Sequence, residues 1–212
     1  MGLNVKRGFA CAVVAGSVMA ACGSAHATVT VYTSQAAFNA AVSAPGVDTF
    51  DDLALTSAPS PLFRNAGPYA YTAAVSTTSF FQAGSLADVW LSTNTATDTV
   101  TFNAFGGGVQ AAGGFFFGSN INGQFAAGDV TLSATDGSGT VTHTIVGATT
   151  ASFVGFVSDG PLTSLTLVSV QPIGGFLWPT ANDFVLAQAV PAPGVMALVG
   201  VGGIVASRRR RG

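Results

Sequence analysis

The chain has 212 residues, of which 49% are hydrophobic and only 8% charged, with a formal net charge of −2. All nine acids are aspartates lying between Asp48 and Asp183, where Arg64 is the single basic residue; the central body therefore carries −8, and Lys6, Arg7 and Arg208 to Arg211 sit at the two ends. A lysine-free acidic body lacks the clustered cations that displace counterions, which excludes nucleic acid and anionic membrane as partners of the folded part.

In chain order, Lys6 and Arg7 precede an apolar stretch from Gly8 to Ala21, and Ala25-His26-Ala27 follows. This is the pattern of a secretory signal peptide, with Ala25 and Ala27 at the cleavage site, and it predicts residues 1–27 as a leader for the Sec translocase and signal peptidase. Met19-Ala20-Ala21-Cys22 also loosely resembles a lipoprotein lipobox in which Cys22 would be acylated, although Met is a poor occupant of its first position. The only other cysteine is Cys11, so cleavage after Ala27 leaves no thiol for a disulfide, a thiolate metal site or a nucleophile.

The body, residues 28–189, has the length of one domain and is rich in Thr, Val, Phe, Ser and Gly. Alternation from Thr28 to Thr33 predicts a first strand, and Ser34 caps a short helix over Gln35 to Val42 that Pro45-Gly46 ends. A strand is expected from Val47 to Leu53, then a Pro-rich loop from Ala58 to Pro68. Further strands are expected over Ala74 to Phe81, Asp88 to Leu91, Thr97 to Phe102, Gly113 to Phe117 and Val130 to Thr135. Asp136-Gly137-Ser138-Gly139 predicts a hairpin turn into Thr140 to Ile145, because Gly readily supplies the positive φ such turns need. A second hairpin is expected where Ala151 to Val157 meets Leu162 to Val170, and Asn182 to Leu186 forms the last strand. The sum is an all-β, jelly-roll-like antiparallel β-sandwich with one short N-terminal helix.

Chemistry-bearing residues are few. His143, the body's one histidine, is expected to point outward from its strand as a solvated side chain. No Gly-x-Ser-x-Gly elbow accompanies the many Ser and Asp residues, and paired aspartates would suit a glycosidase only with one pKa raised. Asp51 and Asp52 at a strand end, joined by Asp183 from a neighbouring late strand, are candidate ligands for a structural calcium ion, since hard oxygen donors suit that cation. Against this stands a purely local role in turns. Thr93, Thr95, Thr97, Thr99 and Thr101 would form one row on an exposed strand. Trp90 and Trp178, with Tyr69 and Tyr71, are candidates for a sugar-stacking platform, the alternative being burial of the tryptophans in the core.

The chain closes with Val190-Pro191-Ala192-Pro193-Gly194, an apolar run from Val195 to Ala206, and Arg208-Arg209-Arg210-Arg211. The run is shorter than the roughly 17 to 25 residues of a spanning helix. The arginines orient it with Gly212 in the cytoplasm. Together these residues resemble the PEP-CTERM sorting signal of bacterial exported proteins, a tail sometimes labelled an ice-binding protein C-terminal domain. The resemblance covers residues 190–212 and departs from the family at Ala192, where glutamate is usual. It implies transient insertion in the inner membrane through an apolar helix, cleavage near Val190-Pro191-Ala192-Pro193 by an exosortase-like enzyme, and delivery to the cell surface or an extracellular polysaccharide matrix. The body inherits no activity from it. The expected function is that of a secreted, surface-sorted, non-enzymatic sandwich serving adhesion or structure in the envelope or matrix. Its alternatives are a carbohydrate-binding module of the same fold and, third, a secreted esterase or glycosidase.

Overall fold

The computed structural model describes residues 28–77 and 79–190; the predicted leader and the tail from Pro191 onward lie outside the described residues, and with them Ala25, Ala27, Ala192, Pro193 and the terminal arginines. The first half holds β1 (Val29–Tyr32), α1 (Gln35–Ala41), β2 (Val42–Asp48), β3 (Ser57–Pro59), β4 (Leu62–Ala66), β5 (Tyr69–Val75), β6 (Ser79–Phe81), β7 (Ala83–Ser85), β8 (Asp88–Trp90) and β9 (Val100–Asn103). The second half holds β10 (Ala111–Ser119), β11 (Phe125–Ala126), β12 (Gly128–Asp136), β13 (Thr140–Ala148), β14 (Phe153–Ser158), β15 (Leu162–Ser169) and β16 (Trp178–Ala189). As the composition predicts, the chain is mostly β, antiparallel, with one short helix. None of its described helices is long and apolar enough to cross a membrane.

Two six-stranded sheets carry the fold. One runs β1-β14-β10-β16-β2 with β11 added to β10, and the other runs β13-β12-β15-β9-β5-β4. Alternation sends one side of each strand inward, and the two inner sides share one core: Phe102 of β9 stacks on Phe184 of β16 at 4.2 Å and 18°. Offset ring stacking of this kind adds to the hydrophobic gain of burying both side chains. The predicted adjacency of early and late strands is present, with Asp48 of β2 opposite Phe184 of β16.

Helix α1 starts as expected, the Ser34 hydroxyl accepting from the Ala37 amide at 3.5 Å. It lies over the outer side of β14 and buries Phe38 there. A Cβ on Gly155 would lie 2.2 Å from the Phe38 ring, so glycine is required at that position. This cover explains why β14 is buried on both faces. The predicted hairpin of Ala151 to Val157 with Leu162 to Val170 does not form. β14 pairs with β1 and β10, whereas β15 pairs with β12 and β9 in the other sheet. The intervening turn carries the chain from one sheet to the other, and alternation alone does not name a strand's partner.

Three other expectations shift. The strand expected over Val47 to Leu53 begins at Val42, directly after the helix, and Phe50 leaves it at φ 64°. Pro45 is tolerated because β2 is an edge strand. The Pro-rich stretch expected as a loop contains β3 and β4, whose prolines lie at or beside short edge strands. The threonine row does not form, because the chain bends and turns from Asn94 to Thr97, and Thr93 is buried with its hydroxyl on the Thr95 carbonyl at 2.8 Å. The predicted turn at Asp136 to Gly139 is present, but neither Gly137 nor Gly139 takes a positive φ; the Asp136 carboxylate closes it by accepting from the Ser138 and Gly139 amides.

Candidate functional site

Strand β16 begins at Trp178, and the segments around its start build a two-part depression. A recess of about 260 Å³ is lined by Phe81, Ser92, Thr93, Ser119 and Gly123 among others. It shares Asn94, Asn120, Ile121 and Trp178 with an open groove of about 620 Å³ whose further wall includes Ala96 and Phe176. Three loops converge here, and each is held by its own hydrogen bonds. The Asn120 side-chain oxygen accepts from the Asn122 and Gln124 amides at 2.9 and 3.1 Å, which fixes the turn between β10 and β11. Gln171 pins the loop before β16 by donating to the Ala96 and Leu177 carbonyls at 2.9 and 2.8 Å and accepting from the Leu177 amide. The Trp178 indole N–H points to the Asn94 carbonyl at 3.5 Å, and Phe176 packs beside the ring at 6.2 Å.

The exposure of this wall is unusual for its chemistry: Phe176 is 69% and Ile121 71% exposed. Exposed apolar residues that cluster at a depression mark binding surfaces more often than scattered ones do. Beneath them lies a floor of hydroxyls. Ser92, Ser119 and Thr180 are all buried; the Thr180 and Ser119 oxygens are 2.8 Å apart, the Ser92 and Ser119 oxygens 3.2 Å, and the Ser92 hydroxyl donates to the Pro179 carbonyl at 3.1 Å. These hydroxyls pair with one another and with backbone carbonyls, so no base activates a serine here. None of the residues lining the recess or the groove is ionisable. Such a lining can hold a ligand, and it offers no general acid or base.

No family model, curated protein or solved structure matches the chain.

The sequence-predicted sugar-stacking residues separate. Trp178 lines the groove, but Trp90 stands edge-on to Phe117 at 4.9 Å and packs against the core, with its indole N–H buried and unpartnered. Tyr69 and Tyr71 are buried, their hydroxyls donating to the Ala44 carbonyl and the Asp48 carboxylate. Phe176, Asn94 and Asn120 complete the depression instead. Asn94 is 84 residues from Trp178 in sequence and is brought to it only by the fold.

The predicted calcium ligands also part company. The Arg64 guanidinium grips Asp48 with Nε at 2.8 Å and Nη2 at 2.5 Å, and Asp52 with Nη1 at 2.9 Å and Nη2 at 2.6 Å. Burial works against the guanidinium's charge, but Asp52 and Asp48 prevail and raise its pKa. The Arg64 hydrogen bonds hold the Asp52 carboxyl below its ordinary value. Burial, followed by the Asp48 charge, pushes the Tyr71 phenol up. Asp51 turns the other way and accepts from the Val89 amide at 3.1 Å. Asp183 sits in a bulge of β16 at φ 46°, and burial, then Asp88, then Asp51, raises its pKa. Among the described residues no three His, Cys, Asp or Glu side chains form a group that could hold a metal ion. Asp51, Asp52 and Asp183 do not come together as one three-carboxylate group: Asp51 and Asp183 lie near each other, and Asp52 is taken by Arg64.

His143 is placed differently from expectation. It lies opposite Leu132 on the side of β13 that carries Val141 and Ile145, half-buried on the inner face of an edge strand, and it does not line the recess or the groove.

Proposed function

We propose that this is an exported, non-enzymatic β-sandwich of jelly-roll type that binds glycan at the Trp178 groove and serves adhesion in the cell envelope or extracellular polysaccharide matrix. The observation that carries the reading is the groove itself: half-buried Trp178 with exposed Phe176 and Ile121, beside the amides of Asn94 and Asn120, over a buried hydroxyl floor. A sugar ring has an apolar face and a polar rim, and this lining has the same division. Export by the Sec route, transient membrane insertion and exosortase-like processing rest on the leader and on the PEP-CTERM-like tail.

Affinity electrophoresis of the full chain through gels containing soluble polysaccharides tests the binding. Retardation by at least one polymer, lost in Trp178→Ala, is expected; unretarded migration through every polymer defeats the reading. Mass spectrometry of the protein recovered from its native host tests the processing. A mature product that begins near Thr28 and lacks Arg208 to Arg211 is expected, whereas retention of the arginines rules out cleavage at the Pro motif.

A further inference from the structure

We infer, resting on the glycan-binding reading above, that the groove is selective for electrically neutral polysaccharide and discriminates against uronate-bearing, sulfated and amino-sugar polymers. Three observations lead there. First, the lining consists of aromatic and aliphatic side chains, hydroxyls and amides, with no Asp, Arg, Lys or His among them. A carboxylate or sulfate brought into this recess would lose water and gain no cationic donor in return. An ammonium would likewise find no carboxylate.

Second, the body offers an anion no cation elsewhere. Arg64 is its only basic residue, and Nε, Nη1 and Nη2 are all engaged by Asp48 and Asp52. With nine aspartates against that one arginine, the body's field repels a polyanion and draws a polycation; salt weakens both effects, so the preference of the groove itself is read with the field screened.

Third, the neutral groups present are those a sugar ring requires. The Trp178 indole is held at its N–H by Asn94 and flanked by Phe176, which leaves an aromatic surface on the groove for the C–H face of a pyranose. The Asn94 amide and the remaining N–H of Asn120, whose oxygen is held by the Asn122 and Gln124 amides, stand around it for equatorial hydroxyls. At the bottom, the Ser92 oxygen is filled by Ser119, Thr180 and the Pro179 carbonyl, whereas Ser119, whose partners are Ser92 and Thr180, keeps one site open. A ligand hydroxyl that reaches the recess meets a group fixed before it arrives, which lowers the ordering cost of binding.

The test is a comparison of polymers by affinity electrophoresis and isothermal titration in about 0.5 M salt, which screens the body's field. It uses the full chain, with Arg208 to Arg211 replaced by Gln, against a neutral glucan, a neutral galactomannan, a polyuronate and a partly deacetylated chitin. Binding to a neutral polymer about tenfold or more tighter than to either charged polymer is expected, with the neutral affinity unchanged between pH 5 and 9 and insensitive to salt. Trp178→Ala and Phe176→Ala should each weaken it about tenfold or more; Phe176 is largely exposed, so that variant keeps its fold, as circular dichroism will verify. Equal or tighter binding of the polyuronate or the chitin overturns the selectivity while leaving a glycan-binding protein. Absence of binding to all four polymers overturns the glycan reading and the selectivity together.

Discussion

Strand β16 joins two regions that handle charge in opposite ways. At Phe184 it lies beside Asp48, which with Asp52, Arg64 and Tyr71 forms a closed network of charge-assisted hydrogen bonds. Six residues earlier, at Trp178, it borders a depression with no ionisable side chain and an exposed apolar wall. The difference shows which region is free to meet another molecule. At Arg64 every charge has a partner inside the chain, so the network holds the fold and has nothing left for a ligand. At Trp178 the apolar surface and part of the hydroxyl capacity remain open. The buried acids follow the first pattern elsewhere: Asp98 accepts from the Ser76 and Thr77 hydroxyls at 2.8 Å each, and Asp136 from Ser158 and Ser138.

The sharpest way to break this contrast is at Arg64. Arg64→Ala leaves the Asp48 carboxylate buried without its counter-charge, and removing one partner of such a pair costs about 3–5 kcal/mol. For a domain of this size that is a drop of roughly 10 °C in melting temperature. Arg64→Lys should recover less than half of the loss, because a point charge cannot serve two carboxylates through a planar fork. Polymer binding measured well below the transition should be unchanged in both. Loss of binding in Arg64→Lys at full helix and strand content would mean that the two regions are not independent.

Trp178→Ala is the mirror image. The affinity for glycan should fall by about 2 kcal/mol, roughly thirtyfold, as for a central aromatic contact. The denaturation midpoint should move far less than it does for Trp90→Ala, because Trp90 packs against the core. Equal effects of the two substitutions on binding would restore Trp90 to the site and remove the distinction drawn between them.

Much of this frame was legible in the sequence, and the illegible parts share a cause. The Ser34 cap, the Asp136 turn and the alternating strands are local, so propensity and spacing reveal them. The nearness of early and late strands follows from the fold class. What stayed hidden is which strand pairs with which, as with β14 and β15 in separate sheets, and which loops meet, as with Asn94, Asn120 and Phe176 around Trp178. Arg64 did leave a signal: a lone cation among nine aspartates has strong reason to be paired, and its partners Asp48 and Asp52 lie on the preceding strand and turn. For Asn94 and Asn120 no comparable signal exists, since amides in Gly- and Thr-rich loops are ordinary turn residues.

Acid titration probes the closed networks without touching the groove. The Ser158 and Ser138 hydroxyls and the turn amides hold the Asp136 carboxyl at about 2, below its unperturbed 3.8. A depressed carboxylate contributes stability in full above the unfolded value. That contribution is lost as pH falls through 3.8 towards 2, and the loss at Asp52 runs in the same direction. Urea titrations from pH 6 to pH 2 should show this decline in wild type and a shallower one in Asp136→Asn. Parallel slopes would mean that the Asp136 turn network does not bias protonation.

Asp183 gives the smallest effect and the opposite sign. Its carboxyl is half-buried near Asp88 and Asp51 and is raised above its ordinary value, so the folded chain binds this proton more readily than the unfolded chain. Stability from this group therefore rises as pH falls through the raised value and levels off near the unfolded 3.8; at neutral pH the ionised carboxylate is a cost to folding. Asp183→Asn removes that charge and keeps a side chain that tolerates the positive φ of the bulge. It should stabilise the fold at pH 7, the gain vanishing as the pH falls to the unfolded 3.8. This variant reverses the Arg64 result, since an acid is removed from the body with benefit where no cation faces it. Destabilisation at pH 7 would show that Asp183 has a partner, and the contrast between satisfied and unsatisfied acids would then have to be drawn elsewhere.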